Sequence, residues 1–498
     1  MKKIIATLIC LALTLGMISA LAEETPAWMP NWDRDADVVV VGFGPAGAMA
    51  AKAAQENGAS TLILEKASKE YAGGSAPASM GFIKPYTAEE ICSSAMGRMT
   101  MEEAQRMFDK ENELLDWMTQ NGLNIVNSTS EGNGPGFYDV VVKGIEALGI
   151  EVLYETPAVK LICDPETKEV YGVQCQQADG SDLYVRANKG VVLCTGGYAA
   201  NKDLMTRFHF ADMIDYALAG APTQTGDGLL MAVEIGAGLD GVSNQQIEWY
   251  GYSYKVASDE MGTAILHMGP SLGPDSRIFV NTNGERFMDE EMYIVHSKCQ
   301  MPFLAYDGTF PIYNGYFNLS MYVIFDQAMF EAGPVGPRDY WCGYASMYDI
   351  YNWSEDNQAE LDRGWFVKAD TIDELVEKLA AQSGNDPIDV ENLKKTIEAY
   401  NAGCAEQSDA FGRSEFYLDP IGDGPYYAAQ ILPTVVYTIG GLSGGPNGET
   451  LDWEGNPIPR LYHAGDVGQP TKILIAALQG ALATGDIAGT ACSQLASH

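Results

Sequence analysis

Positive charge is what this chain has least of. Thirty lysines and arginines stand against 67 aspartates and glutamates, a formal net charge of −37 over 498 residues. That balance excludes nucleic-acid binding built on phosphate contacts, which Lys and Arg carry, and docking on an anionic membrane surface. Histidine is scarce too: His209, His267, His296, His463 and His498 are the full set, and no pair has metal-ligand spacing. No metal site is expected, and no Ser/His/Asp arrangement supports acyl transfer. The nine cysteines form neither C-x-x-C nor the C-x-x-C-H haem signature. After Cys10 come Cys92, Cys163, Cys175, Cys194, Cys299, Cys342, Cys404 and Cys492. A chain this long needs no disulfide framework, so most are expected to be buried thiols. Cys163 and Cys175 flank a turn at Pro165-Glu166-Thr167; with Asp164 opposite Val170, Cys163 faces Tyr171 and does not bridge to Cys175. The length predicts two or three domains.

Long apolar runs are missing beyond the N-terminus. No later stretch reaches the roughly 18 consecutive apolar residues of a membrane span. The N-terminus itself reads Lys2-Lys3, then an apolar run from Ile4 to Ile18, then Ala20-Leu21-Ala22 before Glu23. Residues 1–22 therefore read as a cleavable secretory signal peptide. The mature chain is expected to be secreted or held in the cell envelope, extracytoplasmic, soluble and without stable membrane insertion.

Glycine is abundant, at 53 residues, and its placement carries the first chemical signal. Asp37-Val38-Val39-Val40-Val41 is a short apolar run of the kind buried on both faces in a parallel sheet. It leads into Gly42-Phe43-Gly44-Pro45-Ala46-Gly47, an alanine-rich helix from Ala48 to Asn57, and a second strand, Thr61–Leu64. Gly42 permits the tight turn, Gly44 lets the backbone approach a pyrophosphate, and Gly47 lets helix and strand pack closely. The helix N-terminus faces the phosphates with free N–H groups. Glu65, 23 residues after Gly42, stands where a carboxylate accepts from an adenosine ribose hydroxyl. That acid argues against a 2′-phosphate. The motif alone does not separate FAD from NAD. Downstream, Lys66 leads to Ala72-Gly73-Gly74-Ser75-Ala76-Pro77-Ala78-Ser79-Met80-Gly81, small enough for a loop to lie along an extended cofactor.

With these residues the chain resembles the fumarate reductase/succinate dehydrogenase flavoprotein superfamily, in its soluble branch with urocanate reductase and 3-ketosteroid dehydrogenase. Further motifs carry the resemblance in order: Glu155-Thr156-Pro157-Ala158-Val159, then Thr195-Gly196-Gly197-Tyr198 with Asn201, then Thr225-Gly226-Asp227-Gly228. Asn281-Thr282-Asn283-Gly284-Glu285-Arg286-Phe287 runs to Glu290, and Tyr437-Thr438-Ile439-Gly440-Gly441 precedes His463-Ala464-Gly465-Asp466. The resemblance implies a mixed α/β (α+β) fold: a glutathione-reductase-like FAD-binding domain interrupted by a clamp, or capping, domain. Mapped here, residues 23–243 and 438–498 form the FAD domain and 244–437 the clamp. Amphipathic helices are expected in the clamp near Ile372–Gln382 and Val390–Ala402.

The histidine motif for covalent FAD attachment is absent, so the resemblance implies non-covalent FAD. Its contacts would fall on Gly42, Gly44, Pro45, Ala46, Gly47, Glu65, Lys66, Gly73, Gly74, Ser75, Met80, Gly81, Ala158, Val159, Thr195, Gly196, Gly197 and Asp227. At the C-terminal end they would fall on Gly465, Asp466, Ala476, Ala477 and Leu478, the last three opening a helix that ends near Cys492. N–H groups and the dipole of that helix would stabilise negative charge on the reduced ring.

At the substrate end the chain departs from the fumarate-reducing pattern. Phe330 occupies the place of the proton-donor arginine, and Tyr250 and Tyr437 those of two carboxylate-gripping histidines. Lys472 aligns near a further arginine. Glu290 of the proton relay is kept, with Ile294 in place of its arginine. A dicarboxylate would lie unpaired in such a site, a cost of several kcal/mol. The catalytic candidates are Tyr250 and Tyr437, with Glu290 as proton relay and Lys472 as an anion contact; Arg338 is a substitute proton donor. The reading is an exported FAD-dependent oxidoreductase acting at a C–C bond beside a carbonyl or carboxyl, reducing an α,β-unsaturated small molecule other than fumarate. The alternatives are a steroid-like 3-oxo dehydrogenase running in the desaturating direction, and a flavin-binding protein without catalysis. NAD(P)H is not expected outside the cytoplasm, so the implied electron partner is a separate extracytoplasmic electron-transfer protein or carrier.

Overall fold

The computed structural model describes residues 26–208, 216–242, 247–254, 274–290, 320–336, 353–382, 386–468 and 477–498, apart from 80, 85, 96, 98, 219 and 439. At 94, 217, 247–254, 433 and 434 the backbone alone is described. The predicted signal peptide lies outside these residues.

The apolar run around Val38–Val41 belongs to β1 (Arg34–Val41), with Val38, Val39 and Val40 fully buried. Pro45 starts α1 (Pro45–Glu56) three residues before the predicted Ala48. Its fixed φ and missing N–H suit the first helical position. The second strand, β2 (Thr61–Leu64), has its predicted limits and lies parallel to β1, Val38 opposite Thr61 and Val41 opposite Leu64. The chain continues through α2 (Met101–Gln120) and α3 (Asn133–Ala147). Then come β3 (Glu151–Leu153), β4 (Ala158–Cys163), β5 (Val170–Gln176) and β6 (Asp182–Leu193). Strands β1 and β6 are parallel, and β4, β5 and β6 form an antiparallel run beside them. One register detail differs from expectation. Cys163 lies opposite Val170, not Tyr171, because the ladder shifts between Ile162 and Cys163. Cys175 lies opposite Ala158, and both cysteines are free thiols.

Helix α2 is amphipathic and capped by the reciprocal Thr100–Glu103 bonds. It nevertheless buries Glu111, whose Oε1 has no hydrogen-bond partner among the described residues. Burial pushes that carboxyl up to about 8.

The chain then leaves for a second sheet. Its strands are β7 (Ala217–Leu218), β8 (Ile247–Tyr254), β9 (Arg277–Val280), β10 (Met321–Asp326), β11 (Val367–Ala369) and β12 (Tyr426–Thr438). The order is β8-β12-β10-β9, with β7 and β11 also on the long β12. Among the helices, α4 (Asp227–Glu234) precedes β8 and α5 (Gln327–Glu331) follows β10. The two expected amphipathic helices are α6 (Ile372–Ala380) and α7 (Val390–Ala405), capped by Thr371 and Asp389. Leu375, Leu379, Leu393 and Ile397 bury one face of the pair against Ile278, Ile324 and Ala428 of the sheet.

The chain finally returns to the first sheet as β13 (Glu449–Leu451) and β14 (Pro457–His463), with β14 parallel to β6 and His463 opposite Leu193. The last helix, α8 (Ala477–Ser493), packs on α1. Backbones touch there: a Cβ on Gly489 would lie 2.1 Å from the Ala50 carbonyl oxygen. The result is the expected mixed α/β architecture, a mainly parallel sheet whose chain is interrupted by an antiparallel one. Among the described residues no helix is long and apolar enough to cross a membrane.

Candidate active site

Strands β1, β2, β6 and β14 end together, and the cleft that opens beyond them is lined at that end by Val41, Leu64, Cys194 and Ala464. This is where open α/β sheets bind ligands. Most of the predicted cofactor residues meet there: Gly42, Gly44, Pro45, Ala46, Glu65, Lys66, Gly73, Gly74, Ser75, Ala158, Thr195, Gly196, Asp227, Gly465, Asp466, Ala477 and Leu478 all line it.

Four predicted residues do not line it. Gly47 serves packing, since its Cβ would fall 1.9 Å from the Gly42 carbonyl oxygen. Gly81 presses on Ser130 and Asn133, and Gly197 on Thr438 Oγ1 at 2.2 Å from a built Cβ. Val159 alternates outward from Ala158 and is exposed. Met80, Lys472 and Ala476 lie outside the described residues, as do Arg338 and Ile294. Sequence reasoning missed Thr156, Thr223, Gln224 and Val436 as lining residues. Thr156 and Gln224 sit inside or beside quoted motifs, but nothing in one sequence shows which way they face.

The turn is built for a close ligand. Gly42 has φ of 102°, and a Cβ there would lie 2.4 Å from the Cys194 carbonyl oxygen. At Gly44 a Cβ would meet nothing closer than the Gly73 carbonyl oxygen at 3.6 Å, so the space it leaves belongs to the cleft. No side chain caps α1 at Gly44, which leaves its N-terminus available to an anion. The Glu65 carboxylate closes the turn: Oε2 accepts from Phe43 N–H at 2.7 Å and Oε1 from Ala67 N–H at 2.7 Å. On the rim Lys66 Nζ donates to Thr225 Oγ1 at 2.5 Å and to Asp227 Oδ2 at 2.7 Å. Asp466, which faces the cleft, is pushed up to about 7 by loss of solvent.

These residues fit FAD. The turn leaves room for a pyrophosphate, and Glu65 stands at the end of β2. Among the described residues, the buried Thr195 Oγ1 and Gln224 Oε1 have no partner. When bound, FAD supplies the redox chemistry, the hydride that a side chain cannot carry.

Tyr437 also lines the cleft, half-buried, on β12. The β8–β12 ladder is irregular beside it. Glu248 pairs with Tyr437 and Trp249 with Val435, so Val436 is an extra residue; Gly251 then pairs with Thr434, so Tyr250 is another. Bulges of this kind re-aim side chains beside active sites. Phe330 is buried in a stack with Tyr427, ring centroids 4.3 Å apart. Glu290 is not among the cleft-lining residues. It is fully buried, accepting from Arg286 Nε at 2.8 Å and Phe279 N–H at 3.0 Å, with Arg413 Nη1 3.5 Å away. Burial works against the charge on Arg286, but Glu290 and Asp409 hold its pKa above the usual value. The sequence reading left Glu290 without its arginine; the fold supplies two from other positions.

Comparison with known proteins agrees with this geometry. A family model described as "FAD binding domain" matches residues 37–127 and 104–471. The "Probable fumarate reductase Ifc3" of Shewanella frigidimarina is 26% identical over 503 residues, covering 90% of this chain and 74% of that protein. The vinyl phenol reductase of Lactiplantibacillus plantarum is 28% identical over 471 residues, covering 86% and 89%. Among solved structures, the 3-ketosteroid Δ1-dehydrogenase of Sterolibacterium denitrificans superposes with a TM-score of 0.70 at 18% identity, covering 92% of this chain and 99% of that one. This chain belongs to the FAD binding domain family, takes FAD as its cofactor, and is an FAD-dependent oxidoreductase.

Proposed function

We propose that the protein is an exported reductase that adds hydrogen across a carbon–carbon double bond conjugated to a carbonyl or carboxyl group, in a small molecule other than fumarate. The observation that carries this reading is Phe330. At the position where the resemblance calls for a proton-donating arginine, an apolar ring is stacked on Tyr427 and buried. Val436 and Tyr437 line the cleft. A phenol there can donate to a carbonyl oxygen or pass a proton to carbon, whereas a second carboxylate would go unpaired. Tyr437 and Tyr250 are the proton-handling candidates, and Lys472 an anion contact. Glu290, the relay candidate, is held between Arg286 and Arg413 and is not among the residues that line the cleft. The names of the relatives fit in part: fumarate holds a double bond conjugated to carboxyl groups, whereas that of vinyl phenol is conjugated to a phenol ring.

The second reading is the reverse direction, a 3-oxo dehydrogenase, which the phenol of Tyr437 favours because it can also act as a base. The basic N-terminus, apolar run and Ala20-Leu21-Ala22 support export. They also support a separate extracytoplasmic electron-transfer protein or carrier as the electron source. To test the reading, the purified protein's flavin is reduced without oxygen, and its absorbance followed on adding a panel of enones, enoates and vinyl phenols. Rapid reoxidation by one of them establishes the reductase and its substrate class. Reoxidation by fumarate alone overturns it, and flavin bleaching by saturated ketones turns the reading to the dehydrogenase. Persistence of substrate reduction with NADH alone, and its loss with a membrane fraction, would count against the separate electron partner.

A further inference from the structure

Gln224 is 3% exposed, lines the cleft, and precedes the Thr225-Gly226-Asp227 turn without belonging to any motif noted above. Its Nε2 donates to Ser75 Oγ in a short bond and lies 3.5 Å from the Val436 carbonyl oxygen. Val436 is the extra residue of the β12 bulge, next to Tyr437. That carbonyl also fixes the sense of the amide, since turning it over would set Oε1 against another oxygen. Gln224 Oε1 is therefore the remaining atom of the amide, and among the described residues it is buried without a partner.

Ser75 is constrained in turn. Its Oγ accepts from Ala221 N–H at 3.1 Å as well as from Gln224 Nε2. With both lone pairs engaged, the hydroxyl can only donate its one proton, and Ser75 faces the cleft. The two side chains thus present a donor and an acceptor side by side, the complement of a ligand edge with an acceptor beside a donor. A buried acceptor left unmet costs more than a hydrogen bond contributes, so the arrangement calls for an occupant.

We infer that Gln224 is a positioning residue of the cofactor cleft: its amide fixes Ser75 as a donor to bound FAD, turns Oε1 to FAD as an acceptor, and ties the cofactor loop to the strand carrying Tyr437. This rests on FAD occupying the cleft. Neither Gln224 nor Ser75 transfers a proton or hydride.

The test compares wild type with Gln224→Leu, Ser75→Ala and the double variant, measuring the FAD dissociation constant, the visible spectrum of the bound flavin and the thermal midpoint of the apoprotein. Gln224→Leu is expected to raise the dissociation constant roughly tenfold, as loss of one to two buried hydrogen bonds does. It is also expected to shift the flavin bands, which a purely structural role would not. Ser75→Ala alone weakens FAD several-fold but adds less than about twofold in the Gln224→Leu background, because the two act as one unit. A dissociation constant unchanged in Gln224→Leu, or effects of the two substitutions that multiply, would overturn the inference. Should Gln224→Leu fail to fold, Gln224→Glu keeps the shape, removes the N–H donor, and is read the same way. Failure of every enone to reoxidise the flavin would leave these binding readouts standing, so the substrate reading and this one fail separately.

Discussion

Glu65 Oε2 accepts a hydrogen bond from the Phe43 backbone N–H at 2.7 Å, joining the end of one parallel strand to the glycine turn after its neighbour. The Phe43 carbonyl is held from the other side by Tyr138 Oη, which donates to it at 2.6 Å. The residue between Gly42 and Gly44 is thereby clamped before any ligand arrives. Glu65→Ala leaves two backbone N–H groups without acceptors, and is expected to cost about 1–3 kcal/mol of stability. It should also raise the FAD dissociation constant at least about tenfold. Denaturant unfolding of the apoprotein and flavin titration measure the two effects separately.

Glu111 makes stability depend on pH. Its folded carboxyl is raised by burial to about 8 from an ordinary 4.5, so the folded protein holds a proton that the unfolded chain releases. The contribution is fully present below about 4.5 and is lost as pH rises through about 8. Glu111→Gln is expected to abolish that fall and to raise stability at pH 8–9 by an amount on the order of 2 kcal/mol. Unfolding curves of both proteins at pH 5 and pH 9 decide it; parallel behaviour would show the carboxyl to be solvated.

Glu290 separates a relay from an anchor. Removing its charge takes one carboxylate partner from Arg286, which keeps Asp409, and one from Arg413, which keeps Asp275. Breaking a buried pair from one side costs about 3–5 kcal/mol. Glu290→Gln should therefore lower the unfolding midpoint sharply. A relay would instead show undiminished stability and a lost limb in the pH–rate profile.

Tyr437→Phe is expected to lower kcat roughly a hundredfold while leaving FAD affinity within about twofold, because the ring stays and only the hydroxyl goes. Equal losses in kcat and FAD affinity would mark Tyr437 as part of the cofactor wall only.

Legibility in the sequence followed locality. The Val38–Val41 run, the turn from Gly42 to Gly47 and Glu65 lie within one βαβ unit, where spacing along the chain nearly equals position in space, and each sits where it was expected. Helices α6 and α7 were legible for the same reason, their period-3.6 faces being a property of the segment alone. The same logic failed at Gly81, Gly197 and Val159, which belong to recurring motifs yet pack on Ser130, on Thr438 or face outward. A motif marks a segment, and the backbone's pleat or turn decides which of its residues reach the cleft.

The sequence by itself determined the dinucleotide-binding turn, because such a turn needs particular residues at fixed spacing within a few tens of positions, and its resemblance to known flavoproteins carried the family, the cofactor and the fold class. Only the tertiary structure decided the rest. Gln224 meets Ser75 across 149 residues and approaches Val436 across 212. Glu290 draws Arg413 from 123 residues away, and Phe330 is retired into an aromatic stack with Tyr427. These partnerships are set by how the second sheet folds back on the first, with bulges placing Val436 and Tyr250 out of register. A hydrogen bond or ion pair acts over about 3 Å, and nothing in the order of residues along a chain records which distant groups will come that close.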